Sequence, residues 1–403
     1  MLKRLSTIIL CLFLLNSCKE NNDAVLSAFN VYCEMVANDA KPVALHYPMV
    51  SSDIDKLWND FLILAEKHKV ELYREDSFPA SLLFPEEATD GKTVVIIYSK
   101  DRLTQYEQWK SDLENSDIDN FEGQIQLARR FGRLLGYSST GINELLSKNS
   151  TFRDLHSFQV AAQNTHLYYE NLDQALGFYA QTLGLKPAGS NKFFIGADAT
   201  IELHSFNQNY TIDLPKSTAI ALLTNQLPQW YEYFQSQNVP IKYTYKPKVG
   251  GPHDGFVAID PGGYLLEFEE FKQHPENELF MATLENALKV QTNIDSLNFY
   301  GSITWTYHKD LLKMENHYKE VFGFQLVADQ GWTKIFQTSP SGFIGLVDER
   351  RGMENYAEEK AIEIEWKVNS SNEFNRYASE YWDGFSGKYL SGPEKYKYLV
   401  TGN

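Results

Sequence analysis

The chain has 403 residues, of which 43% are hydrophobic and 14% aromatic, enough apolar material for about two to four globular domains. A formal charge of −16 argues against broad phosphate contact, which needs a face rich in Lys and Arg, so nucleic acid is not an expected partner. With three cysteines, a disulfide framework has little to build on.

The first residues, MLKRLSTIILCLFLLNSC, read as a targeting segment. Lys3 and Arg4 supply a positive start, and the apolar run from Ile8 to Leu15 is too short to span a bilayer. It ends in Leu15-Asn16-Ser17-Cys18, which resembles a bacterial lipobox. That resemblance implies a signal peptide over 1–17, cleavage before Cys18 and lipidation of Cys18. The expected location is then the cell envelope, lipid-anchored, in the outer membrane of a Gram-negative bacterium. Several acyl chains hold a protein stably where one does not. Cys11 leaves with the signal, so Cys33 is the one free thiol. No His/Asn pairing accompanies it, and it reads as a small residue near the tether KENND, 19–23.

Residues 18–150 form an N-terminal region of no assigned family. DIDKLWNDFLILAEKHKVELY has helical periodicity, with Leu57, Phe61, Leu62, Leu64 and Ala65 on one apolar side. KTVVIIYSK is a buried strand candidate. QIQLARRFGRLLGYSSTGINELL predicts a helix, a stop at Gly136 and a second helix capped near Ser138 to Thr140. Arg129, Arg130 and Arg133 read as a solvated basic face. The region shows no catalytic cluster.

From about 160 the pattern becomes strand, helix, strands, and it recurs. NTHLYYE alternates as a strand; NLDQALGFYAQTLGL follows as an amphipathic helix, with Asn171 and Gln174 as a capping box and Gly184 as its stop. KFFIGAD and ATIELHSF continue as strands. STAIALLTN, QLPQWYEYFQSQNV and then IKYTY, GFVAID and YLLEFEEF restart the order. In YLLEFEEF, Leu265, Glu267 and Glu269 share one face of the strand and Leu266 and Phe268 the other. A further copy begins near 301, where DLLKMENHYKEVFGF repeats the helix-to-Gly grammar: Tyr318 and Gly323 match Tyr179 and Gly184 in spacing. AIEIEWKV, a helix over about 372–382 and EKYKYLVTGN close the sequence.

NLDQALGFYAQTLGL and DPGGYLLEF, with TIELHSF between them, resemble the vicinal oxygen chelate superfamily, which includes glyoxalase I, extradiol dioxygenases and bleomycin-resistance-type binding proteins. DLLKMENHYKEVFGF and DQGWTKIFQTSPSGFIGLVDE carry the same resemblance in the second copy. The implied fold is α+β, with tandem βαβββ modules forming cupped sheets after a small α/β or mostly α N-terminal region. The implied domains are 155–272, complete, and 298–403, incomplete because the chain stops at TGN without a strand matching YLLEFEEF.

In that family a divalent metal sits on the cupped face, held from four strands. The resemblance carries those positions onto Asn164, Glu202, Ala219 and Glu267, a poor set for Zn or Fe(II) because imidazole is missing. His166 and His204 lie two residues after Asn164 and Glu202 and share their faces, so His166, Glu202, His204 and Glu267 form a displaced candidate metal site. The alternative is a pocket without metal in which Asn164, His166, Tyr168, Glu202 and Glu267 bind a small organic molecule. The cofactor is therefore none or a divalent metal ion. His253 is expected on a loop at the rim. In the second copy Ile303 and Gly345 replace ligands, and Trp305, Tyr307 and Trp332 offer an aromatic lining.

The expected function is a membrane-tethered binding protein for a small organic molecule. A metal-dependent lyase, isomerase or dioxygenase and an envelope scaffold are the alternatives. Whether the protein is an enzyme stays open, and no catalytic residue is assigned. An unfinished second domain also predicts pairing of its edge strand with a partner, or a dimer.

Overall fold

The computed structural model describes residues 22–115, 121–146, 149, 153–285, 287–294, 297–382 and 385–402. The signal segment and Cys18 lie outside these. Two units, Met1–Arg153 and Asp154–Asn403, divide the chain. Among the described residues, no helix is long and apolar enough to cross a membrane.

The first unit runs α1 (22–37), β1 (Val43–Leu45), α2 (Ser51–His68), β2 (Glu71–Glu75), α3 (Glu86–Thr89), β3 (Val94–Tyr98), α4 (Arg102–Asn115), α5 (Phe121–Leu134) and α6 (Ser139–Leu146). β3, the VVIIY run, is the centre of a three-stranded antiparallel sheet between β1 and β2. α2 buries Ile54, Leu57, Phe61 and Ala65, a stripe at helical spacing, against Phe29, Cys33, Val95 and Ile97. Leu62, expected on that stripe, is exposed, because it falls a full residue beyond Phe61 around the helix. The helix stops where Lys69 turns left-handed, and VELY, expected to continue it, becomes β2. Cys33 is fully buried and burial pushes its thiol up to about 11, which keeps it protonated. Arg129 corrects the solvated-face expectation: it is buried and bonds Asn143 at 2.6 Å, while Arg130 pairs with Asp112.

Among the described residues, the second unit contains four strand–helix–strand segments. The first is β4 (Val160–Tyr169), α7 (Leu172–Gly177, prolonged by a wider turn through Thr182), β5 (Lys192–Phe194) and β6 (Ala199–Ser205). The second is β7 (Thr218–Leu223), α8 (Leu227–Ser236), β8 (Ile241–Tyr243), β9 (His253–Ile259) and β10 (Leu265–Phe271). After α9 (Glu278–Leu284) and the short pair β11 (Val290–Gln291) and β12 (Asn298–Phe299), the third is β13 (Gly301–His308), α10 (Leu311–Glu320), β14 (Gln325–Asp329), β15 (Thr333–Gln337) and β16 (Gly342–Asp348). The fourth is β17 (Ile362–Val368), α11 (Ser371–Tyr381), β18 (Tyr389–Ser391) and β19 (Lys397–Gly402).

These segments build two cupped sheets, but not with the partners expected. The eight-stranded sheet has the order β14-β15-β16-β13-β7-β10-β9-β8, and the six-stranded sheet β18-β19-β17-β4-β6-β5. Thus the second segment joins the third through β7 and β13, and the first joins the fourth through β4 and β17. Residues 155–272 therefore divide between sheets instead of closing a cup of their own. The local pattern specifies each segment's own strands and leaves the partner of β4 and β7 undetermined.

The last strand is also present. β19 pairs in parallel with β17 as β10 pairs in parallel with β7. The turns before them match although their sequences differ. In DPGGY, Gly263 has φ +83° and its N–H bonds Asp260 O at 3.1 Å; in GPEKY, Lys395 has φ +58° and its N–H bonds Gly392 O at 3.0 Å. Both sheets direct their other faces to the helices, and one apolar cluster gathers Leu167, Tyr179 and Leu203 with Ile220, Trp230 and Phe268.

Candidate functional site

On β4, strand alternation sends Leu167 and Tyr169 into the helix-covered core and leaves Asn164, His166 and Tyr168 on the open face. β6 lies parallel beside it, with Glu202 next to His166 and His204 next to Tyr168. On the other side β17 runs antiparallel and sets Glu363 opposite His166 and Glu365 opposite Asn164. The six-stranded cup thus holds five of the expected residues, Asn164, His166, Tyr168, Glu202 and His204.

Glu267 is elsewhere. It lies on β10 in the eight-stranded sheet, beside Ala221, because its segment pairs with β13 rather than with β17. Ala219, Ile303 and Gly345 share that second sheet with it. The expected quartet His166, Glu202, His204 and Glu267 is therefore divided between two sheets. His253 also departs from expectation: it begins β9 opposite Phe271 instead of sitting on a rim loop, and its Nδ1 is buried without a hydrogen-bond partner.

Glu365 takes the place that Glu267 was expected to fill. Its Oε2 accepts from Asn164 Nδ2 at 2.7 Å and lies 3.2 Å from His166 Nε2, and its Oε1 accepts from Thr401 at 2.6 Å. Asn164 Nδ2 also donates to Glu202 at 2.9 Å, and Thr200 donates to Asn164 Oδ1 at 2.9 Å. His166 Nδ1 is 2.8 Å from His204 Nε2. Lys192, on β5 beside Glu202, places its ammonium 3.3 Å from Glu202 Oε2 and 3.8 Å from Glu365 Oε2.

These contacts set the charges. Burial opposes ionisation of Glu365, but bonds from His166, Thr401 and Asn164 outweigh it and hold the carboxyl well below its ordinary range. Glu202 is likewise lowered: burial works against it, and His166, Asn164 and Lys192 prevail. Burial, helped by the neighbouring His166, lowers His204, so its ring is neutral near pH 7. A carboxylate can only accept, so in a neutral His166 the proton sits on Nε2, facing Glu365. Nδ1 of His166 then accepts from Nε2–H of His204, which leaves a lone pair on Nδ1 of His204. That side chain is 31% exposed and that of Glu202 29%, whereas Asn164 and His166 are buried. The buried pair organises the cup, and His204 and Glu202 form its reachable edge. Tyr168 stacks on Tyr210 at 3.7 Å and faces His204 at 5.3 Å, and Tyr210 donates to Glu363 at 2.5 Å.

Ligand atoms of His166, Glu202 and His204 lie within 4.8 Å of one another, and two imidazoles with a carboxylate suit Zn or Fe(II) by chemistry. The spacing as found is that of hydrogen bonds. Two nitrogen ligands on a tetrahedral zinc stand ~3.3 Å apart, wider than the 2.8 Å between the two rings. The Lys192 ammonium also supplies positive charge between the two carboxylates. A metal would be held by His166, Glu202 and His204 once the rings part, polarising whatever oxygen reaches it.

Sequence reasoning missed Glu365, Glu363, Lys192, Thr401 and Tyr210. A signal existed for the first two: AIEIEWKV alternates carboxylates with apolar residues as YLLEFEEF does. Lys192 and Thr401 give no such signal, because their roles come from pairing.

A family model described as Glyoxalase/Bleomycin resistance protein/Dioxygenase superfamily matches residues 159–268. No curated protein matches the chain. Among solved structures, glyoxalase I from Zea mays is similar at 14% identity over 60% of this chain and 92% of that one, with a TM-score of 0.38. A putative dioxygenase from Bacillus subtilis is similar at 14% identity over 60% and 85%, with a TM-score of 0.41. A glyoxalase/bleomycin resistance protein/dioxygenase from Alicyclobacillus acidocaldarius shares 18% identity over 27% and 89%, with a TM-score of 0.22.

Proposed function

We propose that this chain, whose residues 159–268 match the glyoxalase/bleomycin resistance/dioxygenase superfamily model, is a binding protein for a small polar organic molecule. The ligand sits in the six-stranded cup, without a metal ion. The observation that carries this is the cup's completeness as a hydrogen-bonded set: two carboxylates, two imidazoles, an amide and an ammonium already satisfy one another. Such a pre-organised set presents the His204 imidazole and the Glu202 carboxylate at its exposed edge, with the Tyr168–Tyr210 stack as an apolar wall. A ligand that brings hydroxyl or amide donors suits it. Four strand–helix–strand segments, two of them with matching turns before their last strands, support an internal duplication in which one cup kept polar groups.

A metal-dependent lyase, isomerase or dioxygenase is the second reading, favoured by the convergence of His166, Glu202 and His204. Elemental analysis of the detergent-solubilised full chain separates the two. The binding reading expects no stoichiometric metal, and a panel of small hydroxy acids, amides and sugars should contain a ligand that His204→Ala weakens at least about tenfold. Stoichiometric Zn, Ni, Mn or Fe that His204→Ala releases would replace it with the enzyme reading.

We also infer attachment to the envelope membrane through lipid on Cys18, supported by the LNSC motif and its apolar lead. Mass spectrometry of the amino-terminal peptide tests it. An unmodified Cys18, or a Cys18→Ser protein still in the membrane fraction, would remove the anchor.

A further inference from the structure

The first unit contains a cavity of about 200 Å³ beside its three-stranded sheet. We propose that it binds a small carboxylate with an apolar body, at a site separate from the six-stranded cup. β1 is an edge strand, and the consecutive residues Ala44 to Pro48, at its end, line the cavity. Alternate side chains of an extended chain point to opposite faces, so a space that all five reach runs along the open edge. Phe78, Phe84, Val94 and Leu135 make an apolar wall, and the exposed Tyr47 and Tyr137 mark the mouth. A cavity of about 150 Å³ takes a benzene ring, so a single ring with a small substituent fits.

Among the described residues that line the cavity, Lys41 brings a positive charge and no Asp or Glu is present. Its ammonium donates to Leu135 O at 2.6 Å, just past the end of α5, and stands 4.6 Å over the Tyr137 ring. The first contact sets a cation at a helix C-terminus and uses one of three N–H groups. Burial lowers Lys41 from a value far above neutrality, no carboxylate opposes the shift, and the group keeps its charge near pH 7. The ammonium therefore has hydrogens to give and no counter-ion. His46 lines the same cavity, fully buried, with neither ring nitrogen hydrogen-bonded. Its ring packs among Phe29, Tyr47 and Phe61. Burial pushes it down to about 4 against a weak contact with the Tyr47 backbone, so the imidazole is neutral with one N–H to donate. A buried donor without a partner is costly, and an acceptor in the cavity would relieve that cost.

The chemistry of the occupant follows from this lining. A cationic ligand would meet Lys41 with like charge. A neutral hydroxyl would satisfy one donor and leave the ammonium without a counter-charge. A phosphate carries more charge than one ammonium and one imidazole N–H can hold in so apolar a space. A carboxylate matches it: its two oxygens accept from Lys41 and from His46, and its apolar body packs on Phe78 and Phe84.

The test is calorimetric titration of the detergent-solubilised full chain with benzoate and with benzamide, its neutral counterpart. Benzoate should bind at least about tenfold more tightly than benzamide. Lys41→Met, which keeps the apolar stem, should weaken benzoate at least about tenfold. His46→Phe should weaken benzoate at least about threefold while raising the guanidinium midpoint, because an apolar ring needs no partner there. If Lys41→Met fails to fold, the ratio of the two probes and His46→Phe still decide. Equal binding of the probes, no binding of benzoate at millimolar concentration, a folded Lys41→Met that binds benzoate as wild type does, or a His46→Phe that lowers the midpoint and keeps benzoate would each overturn the proposal. So would loss of benzoate with His204→Ala, which would put the ligand in the six-stranded cup.

Discussion

At Gly345 a missing side chain decides what the eight-stranded sheet can hold. A Cβ built there would lie 1.9 Å from Trp305 Cε3, so the indole occupies the space that Glu202 fills in the other cup. The backbone of Gly345 needs no positive φ; only the space is committed. Gly345→Ala should therefore destabilise the second unit by about 1–3 kcal/mol through overpacking, read as a lower guanidinium midpoint. Trp305→Ala should restore tolerance of Gly345→Ala, and a full-sized penalty in that background would show that the indole is not the cause. Glu269 offers a second residue-scale expectation. Burial raises its carboxyl to about 7, with Glu267 and Trp305 opposing the shift; Lys242, Tyr300, Tyr307 and Glu354 are further titrating groups around the pair. A raised folded value means the proton is held more tightly in the native state. The resulting stability is fully present below about 4.5 and is lost as pH rises through about 7. Wild type should lose about 1–3 kcal/mol relative to Glu269→Gln between roughly pH 5 and pH 8. Parallel pH profiles for the two proteins would show that Glu269 stays ionised throughout.

Elements were most legible where their signals are local. Asn171 accepts from Gln174 N–H at 3.0 Å and Gly184 turns left-handed at φ +62°, as the capping box and helix stop require. Asp310 and Gly323 do the same for α10. The turn before β19 stayed hidden because GPEK shares only its proline with DPGG. What equates the two turns is the tyrosine that follows each, which is visible only across sheets. Tyr264 accepts from Tyr168 N–H at 2.9 Å and donates to Ala361 O at 2.6 Å, joining its strand to the six-stranded sheet. Tyr396 accepts from Tyr307 N–H at 2.7 Å and donates to Ser217 O at 2.7 Å, joining the other way. Tyr264→Phe and Tyr396→Phe each strand two buried backbone groups and should cost about 1–3 kcal/mol apiece, measured by chemical unfolding. A cost in only one of them would mean that the two ties are not equivalent.

At the scale of the second unit, the chain's order is not its pairing order, and this separated the expected site residues. The structure brings Asn164 and Glu202 together because they share a segment, and it sets Glu267 on the other sheet, since adjacency in sequence is not adjacency in space here. Each segment's hydrophobic pattern is complete within itself, so nothing in 155–272 records that β4 needs β17 or that β7 needs β13. The cost of ignoring that pairing can be measured. β4 and β7 are buried along most of their length, and removing residues 273–403 would bare one full ladder edge on each. A fragment of residues 155–272 should therefore dimerise or aggregate, as its open edges find each other. A fragment of residues 154–403, with both sheets complete, should melt cooperatively as a monomer. Sedimentation and calorimetry on the two fragments decide this. A monomeric, cooperatively melting 155–272 would mean that the first and second segments can close on each other after all, and Glu267 could then reach Asn164, His166 and Glu202.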